Sequence, residues 1–160
     1  MNDYNRNPKK YDPRMHSAEH MFIQTMVRMF DCGRAFSSHI EKKKSKCDFH
    51  FTRNITPEEI AEITRRVNEA IQANLPVRES FIGRDEAERR FNLSRLPEEA
   101  GETIRIISIG DYDACPCSGE HAASSGEVGT FRILSSDYAD GVLRVRWTIQ
   151  NAGPETAATL

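Results

Sequence analysis

The sequence is poor in the features that would commit it to several common classes. No apolar run approaches the roughly 18 residues of a membrane-spanning helix. The first twelve residues are polar and mixed in charge, unlike the apolar segment of a secretory signal. Positive charge does not predominate. The 22 basic and 24 acidic residues leave a formal net charge of −2, whereas a chain whose main partner is RNA usually shows a basic balance or at least a basic face. Cysteine is scarce, with only Cys32, Cys47, Cys115 and Cys117. With no export signal the expected location is cytoplasmic, where thiols stay reduced, so these four read as ligands or core residues rather than disulfides. No internal repeat and no interdomain linker is visible. The expectation is one domain over residues 1–160, with a core of about 12–149 and tails at 1–11 and 150–160. A hydrophobic content of 38% and a charged content of 29% suit a soluble globular chain long enough to bury a core.

Asp12-Pro13 has the form of a helix start, with Asp12 capping and Pro13 in the first turn. The chain reads as helix from Pro13 to Phe30, apolar over so wide an arc that other elements must wrap it. Gly33 is the expected left-handed stop. Ala35–Glu41 and Lys46–Thr52 read as strands around a lysine-rich turn, with Cys47, Phe49 and Phe51 alternating against Asp48 and His50. Thr56 with Glu59 fits a capping box, and Ile55 with Ile60 a hydrophobic staple. Ile60, Ile63, Val67, Ala70 and Ile71 form the inner face of that second helix, which closes at Asn74 and Pro76. A short strand at Val77–Ile82, a helical turn at Arg84–Phe91, a surface loop at 92–102 and a β-branched strand at Thr103–Ile109 follow. Val128–Ser135 and Val142–Ile149 form a last hairpin across Ala139-Asp140-Gly141. Helix, two strands, helix and further strands imply an α+β domain of two layers, helices packed on an antiparallel sheet.

The chemistry concentrates in residues 111–121, where Pro116 and Gly119 exclude a regular helix or central strand. A rigid turn there presents Cys115, Cys117 and His121. Near the other end, His16 and His20 stand at i and i+4 and share one helix face. Zinc takes about four ligands from Cys, His or carboxylate. The two pairs together therefore point to one zinc ion held by His16, His20, Cys117 and His121, with Cys115 the alternative to Cys117. Two solvated histidines and an inert buried thiol would be the bland account of the same residues.

His16-Ser-Ala-Glu-His20 with Cys117-Ser-Gly-Glu-His121 resembles the H-x-x-x-H and C-x-x-x-H pair of the alanyl-tRNA synthetase editing-domain family, shared with freestanding relatives and the related threonyl-tRNA synthetase domain. Cys47-Asp-Phe-His-Phe51 is similar to the family's Asp-Phe strand. Thr56-Pro-Glu-Glu-Ile60, Val67-Asn-Glu-Ala70, Asn74-Leu-Pro-Val77 and Gly126-Glu-Val-Gly129 extend the similarity over about Arg14–Ile149. The resemblance implies hydrolysis of the ester between a wrong amino acid, chiefly serine, and the 3′ end of a mischarged tRNA, with alanine tRNA the expected partner. The related threonyl domains also remove serine and need not use a metal. Nothing resembles a synthetase catalytic core or the glycine-rich module of some freestanding editors, so the expected action is in trans.

Two departures bear on specificity. Ser118-Gly119-Glu120 stands where alanyl proteins commonly have Gly-Gly-Thr, and Ser17 where Thr is common. Glu120 is thus a candidate general base, as is Glu19, and Ser17 a candidate contact to the substrate side chain. Four protein ligands describe a closed structural zinc site, whereas a catalytic one usually keeps a position open. Lys42, Lys43, Lys44 and Lys46 form the densest positive cluster and read either as a solvated turn or as a contact for tRNA phosphates. Two rival classes share these residues. One is an inactive metal-stapled RNA-binding module. The other is a zinc peptidase with the inverted motif H-x-x-E-H and Glu19 as base.

Overall fold

Asp12 accepts a hydrogen bond from the Arg14 amide at 2.9 Å and caps α1, Pro13–Phe30, with Pro13 in its first turn. In this computed structural model, which describes residues 12–41, 43–91 and 101–150, α1 is the element that the rest of the chain encloses. Met15, Ala18, Met21, Phe22 and Met26 are fully or almost fully buried. The helix stops at Asp31 rather than Gly33. Asp31 takes the left-handed conformation (φ 51°) and its amide bonds the Val27 carbonyl. Aspartate tolerates that region better than most residues, so the stop comes two residues earlier than the glycine suggests.

Two antiparallel sheets flank the helices. The first has the order β1-β2-β7-β6, from β1 (Ser37–Ile40), β2 (Ser45–His50), β6 (Thr130–Ala139) and β7 (Val142–Gln150). Leu143, Val145 and Trp147 of β7 and Cys47 and Phe49 of β2 point inward and are fully buried. Phe22 meets this face with its ring stacked on Phe131 at 5.4 Å and edge-on to Phe49 at 5.8 Å. The Trp147 indole N–H donates to the Cys47 sulfur at 3.4 Å, so that thiol is a core residue. Truncating such a ring to Ala typically costs about 3–5 kcal/mol. Gln150, expected in the tail, pairs with Thr130 and ends β7.

α2, Pro57–Gln72, begins in the expected capping box, Thr56 and Glu59 each bonding the other's backbone amide. Its buried face carries Ile63, Val67, Ala70 and Ile71. Asn68 docks it on β6 by accepting from the Phe131 amide at 2.8 Å and donating to the Phe131 carbonyl at 3.0 Å.

The second sheet has the order β3-β4-β5, from β3 (Val77–Gly83), β4 (Thr103–Ile109) and β5 (Asp113–Pro116). Sequence patterning implied one sheet and a bare turn at 111–121. Residues 113–116 instead form a strand at the sheet edge, where a proline is tolerated because its missing N–H faces away from the ladder. This sheet, not the last hairpin, brings the cysteines back to α1. Among the described residues no helix is long and apolar enough to cross a membrane. The tails at 1–11 and 151–160, Lys42 and the loop at 92–100 lie outside the described residues.

Candidate metal centre

The first turns of α1 place His16 and His20 against the segment after β5. The ligand-type atoms of His16, His20, Cys117 and His121 all lie within 4.8 Å of one another. The Cys117 sulfur is 3.2 Å from His16 Nε2 and 3.4 Å from His121 Nε2. A tetrahedral zinc with its usual bond lengths of about 2.3 Å to sulfur and 2.0–2.1 Å to nitrogen separates those ligand atoms by roughly 3.5 Å. The three imidazoles crowd together, His16 stacked on His121 at 4.1 Å and His20 edge-on to both.

Each ring is also held from behind. His16 Nδ1 lies 3.1 Å from the Glu120 carbonyl, which can only accept, so Nδ1 donates there and Nε2 faces Cys117. His121 Nδ1 lies 3.0 Å from the Ser17 hydroxyl. Ser17 is fully buried and accepts from the Ala122 amide at 3.0 Å. His20 Nδ1 lies 3.2 Å from the Cys115 sulfur and 3.4 Å from Asp113 Oδ2. A ring whose far nitrogen is engaged presents the other in one fixed orientation, the usual arrangement behind metal-bound histidines.

The turn is built to close tolerances. Arg105 of β4 donates to the Cys117 carbonyl at 2.8 Å and the Gly119 carbonyl at 2.9 Å, while Glu79 of β3 holds its Nε at 2.5 Å. Gly119 lies against His16 so closely that a Cβ there would fall 2.2 Å from Cε1. Beyond His121, Ser125 bonds the Ala70 carbonyl and the Leu75 amide. Gly126 meets the Asn74 side chain where a Cβ would be 2.3 Å from its oxygen. The exit of the turn is thus tied to the end of α2. At the front, Arg28 of α1 lies over the Tyr112 ring at 4.4 Å, and the Tyr112 hydroxyl meets Thr25.

Electrostatics favour a metal-ligating thiolate. Burial pushes the Cys117 thiol up, but the charge of His20 and hydrogen bonds from His121, His16 and His20 outweigh it and bring it from 9.0 down to about 2. Burial lowers His20, and its neighbours Cys115, Cys117 and Asp113 more than reverse this, leaving it well above 6.5. Burial lowers His121 to about 4, leaving that imidazole neutral. A thiolate and a neutral imidazole are the forms that bind metal.

The family model for the threonyl and alanyl tRNA synthetase second additional domain matches residues 104–146, which include Cys117 and His121. An alanine–tRNA ligase of Coxiella burnetii is 33% identical over 134 residues, covering 82% of this chain and 16% of that protein. One of Methanopyrus kandleri is 33% identical over 146 residues, 89% of this chain and 16% of the ligase. The chain belongs to the editing-domain family of the threonyl- and alanyl-tRNA synthetases. It spans about 16% of the length of these curated relatives.

For this editing-domain chain, the structure brings together all four residues of the proposed ligand set. Cys115, the alternative to Cys117, lies 3.2 Å from His20 Nδ1 in a second group of metal-binding type with His20 and Asp113. Of the candidate bases, Glu19 is buried at 7% exposure and Glu120 is exposed beside the turn. Lys43 and Lys44 are exposed in the turn between β1 and β2 and Lys46 is half-buried on β2, away from the β3-β4-β5 sheet, while Lys42 lies outside the described residues. Arg144 and Arg146 of β7, which pair with Asp48 and Lys46 of β2, are each engaged by a carboxylate. Asp48 accepts from Arg144 at 2.8 and 2.9 Å, and Asp137 from Arg146 at 2.8 Å. Sequence reasoning missed Asp113, Arg34 and Arg105. Arg34 and Arg105 stand in no motif, and Asp113 was read only as part of the turn.

Proposed function

We propose that this chain is a zinc-dependent aminoacyl-tRNA deacylase acting in trans, which removes serine from mischarged alanine tRNA. The observation that carries the reading is the convergence of three histidine ring nitrogens and the Cys117 sulfur at ligand spacing, in a chain of the editing-domain family. An aminoacyl ester is already activated, so the task is to position a water and stabilise the developing oxyanion. A zinc ion held by His16, His20, Cys117 and His121 supplies Lewis acidity and an anchor for the amino acid's amine or carbonyl.

The chain's own residues supply the rest. Cys117 and His121 are the more exposed half of the set, so substrate approaches from their side. Glu120, exposed next to His121, is the candidate to take a proton from water. The Ser17 hydroxyl accepts from Ala122 and from the Nδ1–H of an Nε2-ligating His121, which leaves its own proton to donate to a serine hydroxyl. A site that bonds the serine hydroxyl discriminates strongly against alanine. tRNA phosphates are met by the Lys42–Lys46 cluster.

A second reading is favoured by one observation, the presence of four protein ligands. A complete set of that kind suits a structural metal in an RNA-binding module. The inverted-motif peptidase is disfavoured, since it gives no role to Cys117 and His121, which pack directly on His16. The deciding experiment incubates the zinc-loaded protein with a panel of mischarged tRNAs and scores loss of amino acid. Seryl-tRNA(Ala) is expected to be deacylated and alanyl-tRNA(Ala) spared. tRNA binding with no deacylation of any member would establish the structural module.

A further inference from the structure

Asp113 is buried on β5, its side chain only 1% exposed. Oδ1 accepts from Arg34 at 2.8 Å. Oδ2 has no hydrogen-bond partner among the described residues, yet it points at His20 Nδ1 from 3.4 Å. A buried carboxylate oxygen left in that state costs free energy unless something draws on it. Arg34 comes from the loop between α1 and β1, and its other nitrogen lies 3.6 Å from the Cys115 sulfur. His20, Asp113 and Cys115 form a second cluster of metal-binding type that shares His20 with the first. The guanidinium already neutralises that second cluster, so it is a poor cation site.

We infer that Asp113, anchored by Arg34, is a positioning residue that holds His20 with Nδ1 protonated and Nε2 turned toward His16, Cys117 and His121. The inference rests on the metal reading above. A carboxylate behind a ligating histidine fixes its tautomer and ring orientation and raises its basicity. His16 and His121 are held by a backbone carbonyl and a hydroxyl. Behind His20 stands a carboxylate, so the hold of His20 on the ion depends on charge. Cys115 is the other neighbour of Nδ1, a weaker acceptor than a carboxylate. Its loss leaves Asp113 in place.

Two measurements test this. In zinc-loaded wild-type protein, long-range proton–nitrogen NMR of the histidine rings is expected to show His20 bound through Nε2 with a proton on Nδ1. Binding through Nδ1 overturns the inference and leaves the metal reading intact. Zinc affinity is then measured by chelator competition for Asp113→Leu, Asp113→Asn and Arg34→Gln, with melting of each metal-free protein as the control for folding. Loss of such a partner typically lowers metal affinity about 10–100-fold, and Asp113→Leu is expected in that range. Asp113→Asn keeps an acceptor oxygen and recovers part of the loss, while Arg34→Gln gives a smaller loss in the same direction. Unchanged affinity in Asp113→Leu, with only a lower melting temperature, makes Asp113 a structural residue and sinks the inference. A wild-type protein that binds no zinc overturns the metal reading and this inference together.

Discussion

Gly119→Ala isolates the geometry of the centre from its chemistry, since it alters no ligand. Gly119 is not in the left-handed region, so alanine meets no backbone penalty there. The cost is steric and directed at one side chain. The added Cβ would stand 2.2 Å from His16 Cε1 and 2.5 Å from Nδ1. Carbon atoms rest at about 3.5–4.0 Å, so the ring must retreat by more than about 1 Å. It cannot do so freely, because Nδ1 is tied to the Glu120 carbonyl and the ring stacks on His121. A displacement of about 1 Å in a positioned group is worth on the order of 100-fold. Zinc affinity, read by chelator competition, is expected to fall by about that factor. In a His16→Ala background the same substitution is expected to do almost nothing, because the clash has been removed. Full zinc affinity in Gly119→Ala, or an equal loss in both backgrounds, would refute the placement of His16 over Gly119.

Elemental analysis is expected to find about one zinc per wild-type chain, none in Cys117→Ala and nearly full content in Cys115→Ala. The reverse pattern would make Cys115 the ligand. Replacing Lys42, Lys43, Lys44 and Lys46 by Ala is expected to weaken tRNA binding and flatten its salt dependence, since each lost phosphate contact releases fewer counterions. Zinc content stays the same, and an unaltered salt slope would show the cluster to be a solvated turn. Glu59 supplies a pH prediction. Hydrogen bonds from Arg53, with that from the Thr56 amide, depress its pKa from 4.5 to about 2, so its contribution is complete above about 4.5 and disappears as pH falls toward 2. The stability difference between wild type and Glu59→Gln, followed by urea unfolding, should shrink over that window. A constant difference down to the lowest pH would show that charge is not what the capping box uses.

The elements were legible where local chemistry determines them. Asp12-Pro13 and Thr56 with Glu59 are self-contained signals and both caps formed. The alternation of Cys47 and Phe49 against Asp48 and His50 assigned an inner face to β2, and both apolar side chains are fully buried. The division into two sheets was not legible. Strand order depends on which edges the helices cover, and no periodicity carries that. β5 was missed because Pro116 reads as a breaker, which is true of a central strand and not of an edge.

The same division runs through the candidate centre. Residues that would touch the ion come in pairs with fixed spacing, because a helix turn and a tight turn each present two ligands at once. The groups behind them obey no spacing. Glu120 acts through its carbonyl, Ser17 through a hydroxyl 104 positions from His121, and Asp113 through a carboxylate 93 positions from His20. Only the packing of α1 against β5 makes them neighbours. Their chemistry nevertheless follows one rule, an acceptor behind each Nδ1. The rule gives Ser17 and Asp113 a reason to be polar and buried. It also separates their tests. Ser17→Ala removes the acceptor behind His121, so a loss of zinc would mark Ser17 as a positioning group. A loss of serine preference at full zinc content would mark it as the contact to substrate.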